Sequence, residues 1–554
     1  MRHKSINILL AFGCCIILFS ACKKDLQEYN PSGLTSNTVY TKAAGFETLV
    51  NAAYSFTRFW YGKEEGYSVT EMGTDIWTNG TGDVFPQLST YNNLQGNNTG
   101  ALDLLWNNTY AAINLCNQGI VSVGAVSDYS SQQKSTREAE LRFLRAFYYW
   151  HVAELWGGVH FSTQPTSTVA TTANRTPVDS IYKQIFADLQ FAVANLPATA
   201  AEYGRATQPV VKAFLARVYL TRGMNVEAIA MANDVIKNNA YSLQPRYGDL
   251  WSMGNLKSKE IVWAVDYSTN LAYNDQTTAT FPYGHSRGSN NGHLLFLMVY
   301  DQVSNAILLR DINNGRPFNR YMPTLALLNM FDEANDSRYD GSFQTVWYAN
   351  KAGTANGNAF VVGDTAAYTA KTVIPAAVMN SKKYTTYDVS KTYNTNGIPI
   401  QRRFYPSLKK FKDSTRTSAN EAQSARDAFV IRLAEMYLVA AEAEFKIGKL
   451  DSAAYYLNVI RTRAAWPGRT ANMQITPAQV TLDFILDERA REFAGEQMRW
   501  FDLKRTNKLV DRVKLLNPDA APYVQSHHLL RPIPQSQIDA VSNKDVFKQN
   551  PGYQ

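Results

Sequence analysis

The chain has 554 residues, of which 45% are apolar and 18% charged, and its formal net charge is +8. This composition excludes intrinsic disorder and collagen-like sequence, and it supplies enough apolar side chains for a large buried core. Lys and Arg are not gathered into a block, so no nucleic acid is expected as a partner. Three of the four cysteines lie within the first 22 residues and only Cys116 lies in the body, which rules out a disulfide scaffold.

The first residues have the pattern of a secretory signal. A basic start at residues 2–4 precedes an apolar stretch at 6–19 and a small Ser-Ala pair. A spanning helix needs about 20 apolar residues, so we expect a removed signal rather than a membrane span. The run LFSAC ends at Cys22 and resembles a bacterial lipoprotein box, in which the cysteine is lipidated and becomes the first mature residue. The alternative is an ordinary secretory signal in which Cys22 is incidental.

The predicted anchor determines how the mature protein meets a membrane. Each buried CH₂ of a lipid chain contributes about 0.8 kcal/mol, and more than one chain makes the attachment stable. We therefore predict a signal peptide at residues 1–21 and a polar, lipid-anchored tether at 22–40, on a membrane that the chain does not span.

Helical periodicity dominates the body of the chain. It begins near Lys42 and recurs at 101–121, 132–155, 178–196, 208–238, 427–465 and 477–499. The segments 63–100, 240–295 and 340–426 are instead rich in Gly, Asn, Thr and Tyr and have little periodicity. Continuous βαβ alternation is missing. The sequence thus predicts a mainly α fold, in which helices form a curved scaffold and long loops with short strands carry the ligand surface.

An internal repeat supports this scaffold. A shift of 225 positions aligns Gly223 with Gly448, and it aligns the pair Ala216 and Ala228 with Ala441 and Ala453. In each copy the alanines are 12 residues apart, the spacing at which tetratricopeptide-type helix pairs place small residues where two helices cross. We expect two tetratricopeptide-like helix pairs. Chance alignment of alanine-rich helices is the alternative.

Four further stretches resemble one family in their sequence, order and spacing. They are LRFLRAFYYWHVAELWGGV at 141–159, VIRLAEMYLVAAEAEFKIGKLDSAAYYLNVIRTRA at 430–464, ILDERAREFAGEQMRWFDLKR at 485–505, and the tail LLRPIPQSQI followed by KQNPGY. After a lipoprotein-like signal, these strings look like the SusD/RagB family. The resemblance implies an outer-membrane lipoprotein of Bacteroidetes-type bacteria that faces outward, captures glycans or peptides without catalysis, and passes them to a SusC-like TonB-dependent transporter. It divides the body into an N-terminal helical region at 41–240, a loop-rich excursion at 241–426 and a C-terminal helical region with its tail at 427–554.

The string GHSRG at 284–288 fits the elbow that presents a nucleophilic serine, here Ser286. Such an elbow needs a strand before the serine and a helix directly after it. Pro282 precedes the string and the polar run at 289–292 follows it, so loop is expected on both sides. A polar binding loop is favoured over a catalytic serine.

The second catalytic candidate is a row of carboxylates at Glu488, Glu492 and Glu496, which would share one helical face. Arginines are interleaved with them, and neutralised pairs of this kind are ordinary scaffold. The adjacent pair His527 and His528 would point to opposite faces of a strand, which disfavours metal binding. Phosphate-binding glycine loops are absent from the sequence. We expect Cys116 to be a small core residue, and we expect no enzyme activity, no cofactor and no metal.

A sugar site needs flat apolar rings for the CH groups of the sugar, with amides and carboxylates beside them for its hydroxyls. Two loop-like segments supply both kinds of group. The predicted ligand-binding residues are Asp75, Trp77, Asn79, Asp83 and Tyr91 in the first segment, and Tyr283, His285, Arg287 and Asn290 in the second. The alternative for Trp77 is a place in the core. Trp60 and Trp106 follow helical periods and are assigned to the core.

These observations favour a cell-surface lipoprotein that binds an oligo- or polysaccharide and delivers it to the transporter. A member of the same family that captures peptides or another nutrient is the first alternative. A secreted serine or glycoside hydrolase is the second. Asn, Tyr and Trp in the loops suit a sugar, but a peptide groove could use the same residues.

Overall fold

The computed structural model describes residues 39–238, 240–268 and 290–554. Helices form most of the regular structure in the N-terminal part. Their bounds are α1 Ala43–Ser55, α2 Glu64–Thr70, α3 Pro86–Thr90, α4 Gly100–Ser122, α5 Ser131–Trp156, α6 Val178–Asn195, α7 Gln208–Thr221 and α8 Asn225–Ile236. The mainly α scaffold predicted from periodicity is confirmed.

Helix α5 is the central helix of this part. It begins at a capping box, in which the Ser130 hydroxyl accepts from the Gln133 amide at 3.2 Å and the Gln133 side chain accepts from the Ser130 amide at 2.8 Å. From Ala139 to Trp156 nearly every residue is buried, so neighbouring elements surround the helix on all sides. Cys116, Trp60 and Trp106 lie in the same core, as expected.

The C-terminal part continues with shorter helices. Their bounds are α9 Gly292–Leu295, α10 Leu325–Asn329, α11 Arg338–Ser342, α12 Ala376–Asn380, α13 Val389–Thr392, α14 Leu433–Lys446, α15 Leu450–Ala464, α16 Thr470–Met473, α17 Leu482–Phe493, α18 Arg499–Arg505, α19 Leu509–Leu516 and α20 Gln535–Asp539. The single helix expected at 477–499 is wrong, because α17 ends at Phe493 and a turn with a left-handed Gly495 separates it from α18.

The internal repeat is present as two helix pairs, α7 with α8 and α14 with α15. Each first helix is followed by a left-handed glycine, Gly223 with φ 71° or Gly448 with φ 80°. The four alanines of the repeat, at 216, 228, 441 and 453, are fully buried, and α8 packs against α14. Small side chains therefore let the helices of each pair approach closely.

Short strands lie mainly between residues 261 and 432. Their bounds are β1 Trp77–Asn79, β2 Ile261–Val265, β3 Tyr321–Pro323, β4 Phe343–Gln344, β5 Val346–Tyr348, β6 Gly353–Ala355, β7 Asn358–Phe360, β8 Thr365–Thr369, β9 Thr385–Tyr387, β10 Ser407–Leu408 and β11 Ala428–Arg432. The antiparallel pairs are β1 with β3, β2 with β11, β4 with β10, β5 with β8 and β6 with β7. The pair β8 and β9 is parallel. These small sheets connect segments that are distant in the sequence.

The strands enclose a second core beside the helical one. Phe296 lies in it, against Trp77 and Tyr321, and Trp347 stacks on Tyr300 with ring centroids 4.6 Å apart. The irregular segments thus have a hydrophobic interior of their own. None of the described helices is long and apolar enough to cross a membrane.

Candidate ligand-binding groove

The segment at 73–79 is part of the interior, which corrects the prediction that Asp75 and Trp77 face a ligand. Trp77 begins β1 opposite Pro323, and its side chain is fully buried against Phe296, with ring centroids 4.9 Å apart. Asp75 is also fully buried and is paired with Arg499 at 2.6 Å. The glycines near it allow tight packing between two cores rather than an open loop. Gly73, for example, lies against the ring of Tyr91.

Asn79 and Asp83 lie closer to the surface, and both are half-buried. Arg402 donates to the side-chain oxygen of Asn79 at 3.1 Å. Asp83 accepts from the Phe85 amide at 2.9 Å and from the Ser89 hydroxyl at 2.5 Å, so it fixes the start of α3. Burial raises the pKa of Asp83, although these hydrogen bonds oppose the shift. A ligand contact by either residue stays a prediction.

Tyr91 and Asn290 are buried as well, and neither presents a free group to solvent. The Tyr91 ring lies against His528 with centroids 4.6 Å apart. Asn290 donates to the Arg426 carbonyl at 2.8 Å and accepts from the Gly292 amide at 2.8 Å. The predicted residues Tyr283, His285 and Arg287, together with Ser286, lie outside the described residues.

The carboxylates Glu488, Glu492 and Glu496 form a buried ion network, as the scaffold interpretation expected. Arg432 donates to Glu492 at 3.1 Å and to Glu496 at 2.7 Å, and Arg338 contacts Glu488 at 2.8 Å. Burial by itself would raise the pKa of Glu488, but the surrounding guanidinium groups lower it. Glu496 lies beyond the end of α17, so the three do not share one helical face. They hold the turn after α17 against β11.

His527 and His528 also differ from the prediction. They lie in a single 3₁₀ turn at Ser526–Leu529 rather than on a strand, and their ring centroids are 4.0 Å apart. Burial lowers the pKa of His528 to about 3. Among the described residues there is no group of three or more His, Cys, Asp or Glu side chains placed to hold a metal ion.

A groove of about 260 Å³ lies between α1, the turn at 202–205 and β2. Its volume is just below the roughly 300–1,000 Å³ typical of small-ligand sites. The lining residues that carry rings or charges are Tyr54, Arg58, Glu202, Tyr203, Arg205, Trp263 and Asp266. Aromatic rings and polar groups therefore meet in one concavity, which is the combination that a sugar requires.

The turn that carries Tyr203 depends on Gly204, which has φ 84°. The Gly204 carbonyl accepts from the indole of Trp263 at 2.9 Å, which fixes the turn against β2. The Tyr203 hydroxyl donates to the Leu256 carbonyl at 3.2 Å, and the Lys257 ammonium lies 4.7 Å from the ring centroid. Since Lys257 covers one face of the Tyr203 ring, at most the other face can receive a ligand.

The opposite wall of the groove supplies polar groups. Arg58 donates to the main-chain carbonyl of Asp266 at 2.6 Å and lies over the Tyr267 ring. Within the described ranges Arg58 has no ion-pair partner, whereas Arg205 is paired with Glu47, Glu140 and Glu202. Arg58 is thus the lining cation with donors left for a ligand.

A carboxyl group that can be protonated lies behind this wall. Burial, together with the neighbouring Asp266 carboxylate, raises the pKa of Asp427 to about 7, although the Tyr267 amide opposes the shift. The Tyr267 amide donates to Asp427 at 2.9 Å. Close to neutral pH, the Asp427 carboxyl group can therefore hold a proton.

Tyr267 and Asn290, which flank residues 269–289 in the sequence, both contact Gly62. Tyr267 follows the groove residue Asp266, and its hydroxyl donates to the Tyr61 carbonyl at 2.6 Å. The Asn290 amide and the Tyr267 hydroxyl both lie next to Gly62. A Cβ added to Gly62 would come within 2.9 Å of the Asn290 amide and within 3.1 Å of the Tyr267 hydroxyl. The chain therefore leaves and re-enters the described part beside Gly62.

The residues of this groove do not form a recognisable motif in the sequence. Tyr54 lies in an amphipathic helix and Arg58 follows it, so periodicity assigned both to the scaffold. Trp263 lies in the segment 240–295, which was expected to be a loop-rich ligand surface, but the strand that carries it is wholly buried. The one local signal was the Tyr-Gly-Arg run at 203–205, because a glycine beside an aromatic residue between two helices indicates a tight turn that presents the ring.

Comparisons with known proteins establish the class of protein. The sequence profile described as SusD family matches residues 259–553, more than half of the chain, and a profile described as starch-binding, associating with outer membrane, matches residues 40–220. The chain belongs to the SusD family. This is a family of binding proteins rather than enzymes, so the hydrolase alternative is wrong.

The relatives extend along nearly the whole chain. SusD-like protein P2 of Formosa agariphila is 25% identical over 96% of this chain and 96% of its own. The starch-binding protein SusD of Bacteroides thetaiotaomicron is 26% identical over 75% of this chain and 73% of its own. A solved laminarin-binding SusD-like protein has a TM-score of 0.71 at 21% identity and covers 93% of this chain and 100% of its own. The fold is therefore that of SusD-like proteins.

Proposed function

We propose that this protein binds an oligo- or polysaccharide at the cell surface, with the groove around Tyr203 and Arg58 as part of the site. The observation that carries the proposal is the groove itself, which is lined by the half-buried Tyr203 ring and by Arg58, an arginine without an ion-pair partner in the described ranges. The ring suits the CH face of a sugar and the guanidinium suits its hydroxyl oxygens. Relatives described as binding starch or laminarin support the same ligand class.

A glycan screen of the mature chain tests this proposal. Starch and laminarin are the first probes, because they are the glycans that the relatives' descriptions name, and a broad glycan array extends the choice. Retardation in an affinity gel by at least one polysaccharide is the expected result. Retention of peptides alone on a matched peptide array would favour the peptide alternative within the family.

We further propose that Cys22 carries lipid and anchors the protein to the outer membrane. The support is the LFSAC run and the profile description of association with that membrane. Because attachment by lipid needs more than one chain, loss of the only acylated residue should release the protein. Cys22→Ala should leave it in the soluble fraction, and Cys116→Ala is the control. Resistance of Cys22→Ala to extraction from the outer membrane would contradict the anchor.

The final part of the proposal is delivery to a SusC-like TonB-dependent transporter, with the glycan captured between the two proteins. Its support is family membership. Detergent extraction and affinity purification of the native protein should recover a large β-barrel partner. Recovery of the lipoprotein as a monomer, under conditions in which other outer-membrane complexes survive, would count against the transporter.

A further inference from the structure

The turn between β7 and β8 carries two adjacent valines, Val361 and Val362, which are 64% and 65% exposed. Asp364 closes this turn, because its carboxylate accepts from the Val361 amide at 2.9 Å and its own amide donates to the Val361 carbonyl at 3.1 Å. A Cβ added to Gly363 would meet no atom within 4 Å, so the turn projects from the surface. An ordered turn thus holds two branched apolar side chains in solvent.

Helix α12 is the second exposed apolar element of this region. None of its residues is buried, and Val378 at its centre is 45% exposed. The Ile374 amide donates to the Asp388 carboxylate at 2.8 Å, which fixes the approach to the helix. A helix of a soluble protein normally buries its apolar side chains against a neighbour. Within the residues that the structure describes, α12 does not do so.

Lys383 connects α12 with the valine turn. It follows the helix directly in the chain, and its ammonium donates to the Asp364 carboxylate at 2.6 Å and lies 4.9 Å from the ring centroid of Phe360. The exposed Tyr348 lies in the same region, since the amide of the next residue, Ala349, donates to the Asp364 carbonyl at 2.7 Å. We call the surface formed by the following four residues the valine surface: Tyr348, Val361, Val362 and Val378.

The charge of this region is positive. Residues 345–387 contain four lysines and a single acidic residue, Asp364, which is paired with Lys383. Lys351 and Lys382 are exposed, and neither has an ion-pair partner in the part of the chain that the structure describes. The region therefore combines exposed apolar side chains with unpaired positive charge.

This combination favours a lipid surface over other partners. Apolar side chains enter the boundary between headgroups and acyl chains, and lysines beside them are attracted to anionic headgroups. Val361 and Val362 stand on a projecting turn, which suits insertion into a membrane better than recognition of a small ligand. A second copy of the chain would bring the unpaired lysines of both copies together, and this repulsion disfavours self-association.

We propose that the valine surface inserts into the headgroup region of a membrane that contains anionic lipids, with Lys351 and Lys382 against the headgroups. Exposed apolar side chains and unpaired lysines are the two features that interfacial membrane contacts combine. This contact is additional to the proposed anchor at Cys22, and it orients the body of the protein on the membrane.

Vesicle flotation tests the contact with the mature chain, residues 22–554, in which Cys22→Ala prevents attachment of lipid. One set of vesicles is phosphatidylcholine alone, and the other is an equimolar mixture of phosphatidylcholine and phosphatidylglycerol. We expect the protein to float with the mixed vesicles and to bind the neutral vesicles about tenfold less or weaker still, because two lysines lose their attraction. Absence of binding to the mixed vesicles would overturn the membrane contact and leave the glycan proposal untouched.

Substitution of the valines locates the contact. Val362→Asp and Val378→Asp should each weaken binding to the mixed vesicles about tenfold or more, because each places a carboxylate where an apolar side chain enters the membrane. The thermal midpoint should not move, since both side chains are exposed. Val226→Asp is the matched control, because this valine on α8 is 66% exposed and the change in charge is the same. An equal loss of binding in all three variants would show that only net charge matters, and the valine surface would be wrong.

Substitution of a lysine tests the choice of a lipid partner. Lys382→Glu should weaken binding to the mixed vesicles and leave binding to neutral vesicles unchanged, whereas Lys449→Glu, at an exposed lysine outside the region, is the control and should change neither. Analytical ultracentrifugation without vesicles tests the other occupant. If the mature chain forms a dimer that Val362→Asp dissociates, the valine surface binds a second copy and the membrane proposal is wrong.

Discussion

Arg499 donates from Nε and Nη2 to the two carboxylate oxygens of Asp75, at 2.7 and 2.6 Å, and both side chains are buried. Arg512 is a second partner of the same carboxylate at 2.7 Å. Burial by itself would raise the pKa of Asp75, but the two guanidinium groups lower it, so the carboxylate is charged in the fold. The Asp75 side chain thus links the N-terminal half of the chain to α18 and α19 by ion pairs.

Replacement of the Asp75 carboxylate by an amide tests the contribution of these ion pairs to stability. Asp75→Asn keeps the shape of the side chain but removes the carboxylate that pairs with the buried Arg499 and one of the three that pair with Arg512, so we expect a loss of about 3–5 kcal/mol in the free energy of unfolding. Asp364→Asn is the control, because its ion pair with Lys383 lies at the surface, and it should cost clearly less than Asp75→Asn. Urea denaturation measures both. Similar losses in the two variants would contradict the buried pair.

Trp77 gives a second test of the buried segment. Trp77→Ala should destabilise the protein by about 3–5 kcal/mol, because it removes a large side chain from a closed core. Trp466→Ala, at a side chain that is 36% exposed, should cost clearly less. The comparison is made by chemical denaturation of both variants. An unchanged denaturation midpoint for Trp77→Ala would show that the indole is not in the core.

The sequence predicted the scaffold better than the site. Periodicity and the repeated alanines follow from local chemistry, since small residues must occupy the crossing points of α7 with α8 and α14 with α15. The role of Asp75 could not be derived locally, because its partners lie 424 and 437 residues further along the chain. The Gly-rich run around Trp77 was therefore predicted to be an open loop. Antiparallel pairing of β1 with β3 instead places Trp77 in the protein interior.

The repeated glycines provide a prediction about the helix pairs. A Cβ on Gly223 or Gly448 would meet no atom within 4 Å, so the only cost of Gly→Ala there is the positive φ. We expect each substitution to destabilise the protein by about 1–2 kcal/mol. Gly124→Ala is the matched control, since its Cβ also meets nothing and no positive φ is present. If all three variants have the same stability, the left-handed turns do not terminate the helices.

Glu71 predicts a pH dependence of stability. Its side chain is fully buried and accepts from the Met498 amide at 3.0 Å. Burial raises its pKa to about 8, although the Met498 and Arg499 amides oppose the shift. Because the folded protein binds a proton that the unfolded chain releases above its ordinary pKa, this contribution to stability is lost as pH rises to about 8.

Glu71→Gln removes the titration while keeping the hydrogen-bonding shape. The difference in unfolding free energy between wild type and Glu71→Gln should therefore shrink, or turn in favour of the variant, from about pH 5 to about pH 8. Glu227→Gln, at an exposed position, is the control and should show a constant difference. A constant difference for Glu71→Gln over this range would contradict a protonated, buried carboxyl group.

The most direct test of the central claim is the glycan affinity of Tyr203→Ala, measured by calorimetry with the polysaccharide that binds the wild type best. Removal of an aromatic ring that stacks on a sugar should cost on the order of 1–3 kcal/mol, a fall in affinity of about fivefold to a hundredfold. Tyr348→Ala removes a ring that is 57% exposed outside the groove and should leave the affinity unchanged. An unchanged affinity in Tyr203→Ala, with its thermal midpoint intact, would contradict glycan binding in this groove.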